Sequence, residues 1–228
     1  MLALLVCEQH RPIPRDELAD NLWPVHRPPT WPTALRVVVG RVRHFLSTAG
    51  LAAPEALRAQ EGTYRLTLPA RVEVDVEVAL ADTELADQAL KSGNASATQI
   101  LAERACAVLE RPLLADVEAP WLEFKRKDLD RARIRAIEAL AESRLAVQAP
   151  DAAAAAANEA LALDPFRESA HRLLLRAHQH RGNIAVGLQT YEELRSMLGR
   201  ELGTAPSPQT RALHTELLRA GGPPASET

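Results

Sequence analysis

A mainly α fold in two parts is expected from this sequence: a small module of helices closed by a β-hairpin, followed by an all-α body of helical hairpins. Three observations carry this reading. Residues 33–46, TALRVVVGRVRHFL, sort into two faces when wound as a helix. Leu35, Val38, Val39, Val42, Phe45 and Leu46 form a buried stripe, and Thr33, Arg36, Val37, Gly40, Arg41, Arg43 and His44 form the opposite face. Some way further on, EGTYRL at 61–66 carries a turn signal, Glu61-Gly62, ahead of alternating apolar and polar residues. Beyond about residue 70 almost every segment repeats apolar residues with the helical period. A helix with an apolar back and an arginine-lined front, trailed by a hairpin, is the outline of a winged helix-turn-helix that reads DNA.

The elements follow in order. Leu2, Leu5 and Val6 keep helical spacing, so residues 2–9 form the first helix. PRDELADNLW supplies a second helix over 15–22, with acids in its first turn to suit the helix dipole. The run that follows holds Pro24, Pro28, Pro29 and Pro32, a density that no helix tolerates, so it is a loop. Thr30 or Thr33 can cap the third helix, and Gly50 stands where its stop is expected. The consecutive valines 37–39 are poor helix formers and raise a strand alternative, but only the helical wheel gathers the apolar residues into one arc.

A boundary falls near residues 68–71. A short extended piece then leads into a helix from about Asp75, followed by SATQILAERACAVL, a loop at RPLLADV and a long amphipathic helix from Trp121. Four further helices are separated by Asp164-Pro165, Gly182-Asn183 and the stretch 203–208. NEALAL and EELRSML occupy equivalent places about 33 residues apart, near the tetratricopeptide period. Ala160 and Gly187 provide the small surfaces at which such helices approach closely, and Trp121, Phe166 and Tyr191 are read as core. RKDLDRARIR, 126–135, mixes charge signs at helical spacing and is read as a solvated ion-pair face.

Composition narrows the function classes. The net charge of −3 hides an asymmetry: residues 1–71 carry nine arginines against six carboxylates, while the remainder is acidic. A basic head on an acidic body suits a polyanion partner for the head alone. The two cysteines, Cys7 and Cys106, lie far apart inside apolar helical patterns, as small buried hydrophobes of a reducing cytoplasm. No apolar run is long enough to span a bilayer, and the start MLALLVCEQH lacks the basic region of a signal peptide. His171, His178 and His180 do not share a ligating face, so no metal site is read there. No nucleophile elbow or P-loop is present, and no enzyme is expected.

Several blocks resemble one family. LLALLV, PRDELADNLW, ALRVVVGRVRHFL and GTYRLTL in the head, and RPLLADV, LDPFRESAHRLLLRAHQHRGN and AVGLQTYEELRSMLGRELGTAPSPQTRALH in the body, are similar to the Streptomyces antibiotic regulatory proteins. These join an OmpR-type winged helix to a bacterial transcriptional activator domain. The resemblance implies a winged helix-turn-helix over 1–70, a tetratricopeptide-like activator domain over 71–220 and a disordered tail over 221–228. It also implies an antiparallel sheet ahead of the first helix, so the winged helix is expected to be N-terminally truncated, with partners lost to its wing. Pro14 replaces the usual serine or threonine cap, a loss of about 1 kcal/mol for the second helix.

On this resemblance the third helix enters a major groove. Arg41 is the expected reader of guanine, and Val37 is placed against a thymine methyl. Thr33, Arg36, Arg43 and His44 flank the bases or neutralise phosphates, and Arg58, Thr63, Tyr64 and Arg65 belong to a wing on the backbone or minor groove. The partners implied are double-stranded DNA with promoter direct repeats, RNA polymerase and a second copy of the chain on DNA, with no membrane and no cofactor. The implied role is cytoplasmic and nucleoid-associated activation of a secondary-metabolite gene cluster. The competing reading is a tetratricopeptide-like interaction or ligand-sensing module without competent DNA binding.

Overall fold

The computed structural model describes residues 1–221. Residues 222–228, nearly all of the expected tail, lie outside the described residues, and Gly221 closes the last helix. The chain forms two compact units. One comprises Met1–Asp75 together with Leu113–Arg126, and the other Val76–Pro112 with the chain from Lys127 onward. Residues 113–126, read from the sequence as part of the helical body, therefore group with the first unit.

In the first unit, α1 (Leu2–Cys7) buries Leu4 and Leu5. It leads to β1 (Ile13–Pro14), α2 (Arg15–Leu22), α3 (Trp31–Thr48), α4 (Ala53–Ala56), β2 (Leu57–Gln60) and β3 (Thr63–Leu66). Pro14 is the N-cap of α2 in an extended conformation, and its side chain offers no capping bond. Pro32 sits in the first turn of α3, where its missing N–H would be unpaired in any case. At the far end Gly50 adopts φ +76, with Leu51 N–H donating to Leu46 and Gly50 N–H to Ser47, a Schellman stop. Glu61 and Gly62 take φ +49 and +78, the left-handed pair of a tight type I′ hairpin between β2 and β3.

The sheet order is β1-β3-β2, so β3 of the wing is paired on both sides, while β2 is an edge strand. β1 was not visible in the sequence: it is two residues long, pairs Ile13 with Tyr64 and Pro14 with Thr63, and has no room to alternate. Pro14 is tolerated because it lies on an edge strand. Arg15 N–H extends the tie by donating to Gly62 O at 3.0 Å.

The core of this unit gathers Leu4, Leu5, Ile13, Leu18, Leu35, Val39, Val42, Leu46, Leu57, Tyr64 and Leu66. The buried stripe of α3 is narrower than expected. Leu35, Val39, Val42 and Leu46 are buried, Val38 is half-buried, and Phe45 is 55% exposed. Phe45 lies on the flank of the stripe and lines an open apolar cleft with Leu2, Val6, Leu51 and Leu68. Trp121 packs on this core, and Arg126 ties the 113–117 loop by donating to the carbonyls of Leu113, Leu114 and Val117.

The second unit is built from α5 (Asp75–Lys91), α6 (Ala95–Leu109), the part of α7 (Pro120–Ala146) from Lys127 onward, α8 (Pro150–Leu163), α9 (Glu168–His180), α10 (Ile184–Leu202) and α11 (Pro208–Gly221). α8 packs on α9, α9 on α10 and α10 on α11, while α11 also returns to α9. Successive hairpins begin at Pro150 and Ile184, a spacing of 34 residues that matches the tetratricopeptide repeat. Alanine makes the close packing possible: Ala153, Ala154, Ala156, Ala157 and Ala160 of α8 are buried against Leu173, Leu174 and Ala177 of α9. A Cβ on Gly187 would lie 3.4 Å from Leu217 and 3.5 Å from His178, so this glycine marks the crossing of three helices.

The 126–135 face is more structural than its charge pattern suggests. Arg131 pairs locally with Asp128, but Arg133 reaches Glu159 of α8 and Arg135 reaches Asp87 of α5. Tyr191 is buried and stacks on His214 with centroids 3.8 Å apart. Phe166, read as core, is exposed because it sits in the turn between α8 and α9.

Candidate nucleic-acid interface

One face of α3 is anchored by Leu35, Val39, Val42 and Leu46, which leaves Thr33, Arg36, Val37, Gly40, Arg41 and His44 exposed on the other. Val37 is 52% exposed, an uncommon position for a valine flanked by arginines on a helix face. Gly40 has open space where a Cβ would be, so packing does not require it to be a glycine. The wing adds two more arginines. β2 and β3 pair antiparallel with Arg58 directly opposite Arg65, and both side chains are exposed. Like charges in facing positions destabilise a hairpin, a cost that an anion between them would offset.

Two arginines of this unit are held by carboxylates. Arg11 is held by Glu8 and Glu17, and those carboxylates raise its pKa. Arg27 donates to Asp16 and Asp20 and also stacks over Trp31, 4.8 Å from the ring centroid. Hydrogen bonding to Asp20 is the main cause that raises its pKa. Among the described residues Arg36, Arg41, Arg58 and Arg65 have no carboxylate partner. Positive charge is thus paired at Arg11 and Arg27 and left open on α3 and the wing.

Two of the sequence-predicted residues do other work. Tyr64 is 7% exposed and belongs to the core, because strand alternation sends it inward with Leu66 while Thr63 and Arg65 point outward. Most of its ring is therefore spent on packing, and not on the outer face of the wing where it was expected. Arg43 is half-buried, and its guanidinium donates to Leu57 O at 2.9 Å. That bond fastens the start of β2 to α3, and the buried Arg43 Nε has no partner of its own. Arg43 is therefore a positioning residue that sets the wing against the helix. Thr63 is half-exposed, with its hydroxyl already donated to Gln60 O at 2.8 Å.

Sequence reasoning missed Arg27 and Ile13. Arg27 bridges α2 and the first residue of α3 across the proline-rich loop, and so sets the entry angle of the exposed helix. The signal was an arginine placed between prolines and an aromatic residue. Ile13, fully buried, carries the strand that backs the wing.

Among the described residues no group of three or more His, Cys, Asp or Glu could hold a metal, and no helix is long and apolar enough to cross a membrane. His171 is buried. Cys106 is half-buried, and burial pushes its thiol up to about 11, far from the reactive thiolate.

Comparison with known proteins identifies the chain. Residues 74–218 match the bacterial transcriptional activator domain. The chain is 24% identical to the transcriptional regulatory protein MoaR1 of Mycobacterium tuberculosis, over 96% of this chain and 71% of that protein. It is 27% identical to the regulatory protein AfsR of Streptomyces coelicolor, over 96% of this chain but only 22% of that larger protein. A solved structure of Mycobacterium tuberculosis EmbR, in complex with a low-affinity phosphopeptide, superposes with a TM-score of 0.89 at 26% identity. That match covers 96% of this chain and 57% of EmbR. The chain belongs to the bacterial transcriptional activator domain family and is a transcriptional regulator, not an enzyme.

Proposed function

We propose that this regulator binds promoter DNA through α3 and the wing and activates transcription through its helical unit. The single observation that carries the reading is the set of four arginines, Arg36, Arg41, Arg58 and Arg65, exposed without carboxylate partners on two adjoining elements of one small unit. In the proposed complex α3 lies in the major groove. Arg41 makes a bidentate contact to guanine, and Val37 packs on a thymine methyl. Thr33, Arg36 and His44 flank these readers, and Arg58, Thr63 and Arg65 meet phosphates beside the groove. The helical unit supplies contacts to RNA polymerase and to a second copy bound at an adjacent direct repeat. The resemblance to antibiotic regulatory proteins supports a secondary-metabolite cluster as the target and a cytoplasmic, nucleoid-associated location.

The test is binding to fragments of the neighbouring promoters, followed by fluorescence anisotropy across a salt series. Neutralising several phosphates makes log K fall linearly with log salt, by about 0.9 for each phosphate contacted. A folded chain with no salt-sensitive binding would sink the DNA-binding reading and leave the helical unit as an interaction or ligand-sensing module.

A further inference from the structure

A cavity of about 430 Å3 opens between α5, α7 and α9 of the helical unit. Leu90, Ala139 and Leu173 give it an apolar floor, and its rim carries Arg135, Arg172 and Arg176 together with Asp87, Glu138 and Glu142. By formal count the rim is neutral, but the pairing is uneven. Asp87 is taken by Arg135, Glu142 by both oxygens on Arg176, and Glu138 by Arg167 and Ser169. Every carboxylate is thus engaged. Arg172 has no carboxylate within ion-pair distance among the described residues; its one hydrogen-bond partner is the neutral hydroxyl of Thr210, at 3.2 Å. Glu168 acts on Arg172 through its charge at longer range, while its Oε2 accepts from Ser207 and Thr210.

A half-buried guanidinium with no carboxylate in direct ion-pair contact, at the mouth of a cavity with an apolar floor, suits a ligand that brings its own carboxylate and an apolar group. We infer that this cavity binds a peptide segment of a partner protein, with a carboxylate on Arg172 and a neighbouring apolar side chain on Leu90, Ala139 and Leu173. Arginine provides the planar fork that a carboxylate needs, and the cavity volume lies in the range of ordinary ligand sites. The fixed pairs of Arg135 and Arg176 hold the walls in place without competing for the anion. The carboxylate belongs either to an acidic side chain or to a chain terminus, and both present the same two oxygens.

Three fluorescein-labelled pentapeptides separate the outcomes: Gly-Ala-Leu-Glu-Leu amide, Gly-Ala-Leu-Gln-Leu amide and Gly-Ala-Leu-Gln-Leu with a free C-terminus. With the full chain, at least one carboxylate probe is expected to bind about tenfold tighter than the neutral amide, a gap typical of one charge-assisted hydrogen-bonded pair. Which of the two does so assigns the source. Arg172→Ala is expected to erase the gap, Arg172→Lys to keep part of it, and Arg131→Ala to leave it intact. Glu142→Gln does not touch Arg172 but releases Arg176 from its partner, and is expected to strengthen binding of the carboxylate probe several-fold. Circular dichroism melts confirm that each variant is folded. Equal binding of all three probes, no binding at millimolar peptide, or a gap that survives Arg172→Ala overturns the inference. So does a Glu142→Gln variant that leaves the carboxylate probe unchanged. None of these results bears on DNA binding, which the promoter titration tests separately.

Discussion

Glu168 at the start of α9 accepts a hydrogen bond from Thr210 of α11 on its Oε2, at 2.6 Å. The same oxygen accepts the hydroxyl of Ser207 at 2.7 Å and the Ser207 backbone N–H at 2.8 Å. One carboxylate oxygen therefore gathers the backbone N–H that precedes α11 and two hydroxyls of its first turn region, and ties the last helix to α9. This explains physically why the PSPQTR block reads as it does: Ser207 and Thr210 are the donors, and Pro208 opens the helix between them.

Removing that carboxylate is predicted to loosen α11. Burial pulls the Glu168 carboxyl upward, but the hydrogen bonds from Thr210 and Ser207 and the charge of Arg172 outweigh it and hold it below its ordinary range. A depressed carboxyl stabilises the fold above its unfolded pKa, and the contribution is lost as pH falls through the folded value. Glu168→Ala is expected to cost about 2 kcal/mol and Thr210→Val about 1 kcal/mol, since hydrogen bonds to charged groups exceed neutral ones. Urea denaturation followed by helical signal measures both. The double variant is expected to cost less than the sum.

His171 adds a second pH dependence of the same sign and a different origin. Its Nε2 lies 2.9 Å from the carbonyl of Pro165, which accepts and so requires the Nε2–H tautomer. That leaves Nδ1 as a buried acceptor with no partner. Protonating Nδ1 would bury an unsatisfied donor and a charge, so burial lowers the pKa from 6.5 despite the nearby Pro165 carbonyl and the charges of Glu168, Asp164 and Glu193. The unfolded chain takes up the proton first. Stability is therefore full above the ordinary histidine value and falls as pH drops below it. His171→Gln keeps a donor for Pro165 and removes the titration. Its denaturation midpoint is expected to vary less than that of the parent between about pH 7 and pH 5. His178, also lowered by burial, accounts for part of the slope that remains.

What could be read from the sequence was what local backbone chemistry dictates. The stop at Gly50 and the turn at Glu61-Gly62 depend on left-handed residues within a few positions, and both were legible. The apolar stripe of α3 was legible in outline. Its flank at Phe45 was not, because burial there depends on what packs beside it. The inward turn of Tyr64 was signalled: its alternation with Arg65 already placed the two on opposite faces. β1 and the tie from Arg43 to Leu57 could not be found. A two-residue strand has no period, and a hydrogen bond to a backbone carbonyl leaves no trace in residue type. The same is true of Glu168 with Ser207 and Thr210, where a recognisable block carries no sign of the distant carboxylate that gives it meaning.

The facing pair Arg58 and Arg65 gives a prediction in which stability and binding move apart. If the pair exists to meet phosphate, Arg58→Ala or Arg65→Ala relieves like-charge repulsion in the hairpin. The melting temperature is then expected to hold or rise slightly. Affinity for any duplex is expected to fall by a similar factor whatever its sequence, with the salt slope reduced by about one. Anisotropy at two or more salt concentrations, paired with thermal melts, measures both. A variant that loses stability and keeps its salt slope would show that the pair serves the fold.

Arg41 and Val37 test base reading on the exposed face of α3. Arg41 has no partner to lose and Val37 has little contact to surrender, so substituting either leaves the buried stripe intact. Arg41→Ala is expected to cost about 1–3 kcal/mol on the preferred site and much less on a scrambled one, the signature of a bidentate base contact. Arg41→Lys keeps the charge but not the fork, so it is expected to restore non-specific affinity without restoring the preference. Val37→Ala removes methyl groups that would face a thymine. Its effect is expected only where the site carries thymine at that position, and replacing that thymine with uracil in the DNA should reproduce it. Equal losses on preferred and scrambled DNA would confine Arg41 to the phosphates, and would shift the reading of sequence to the rest of the α3 face.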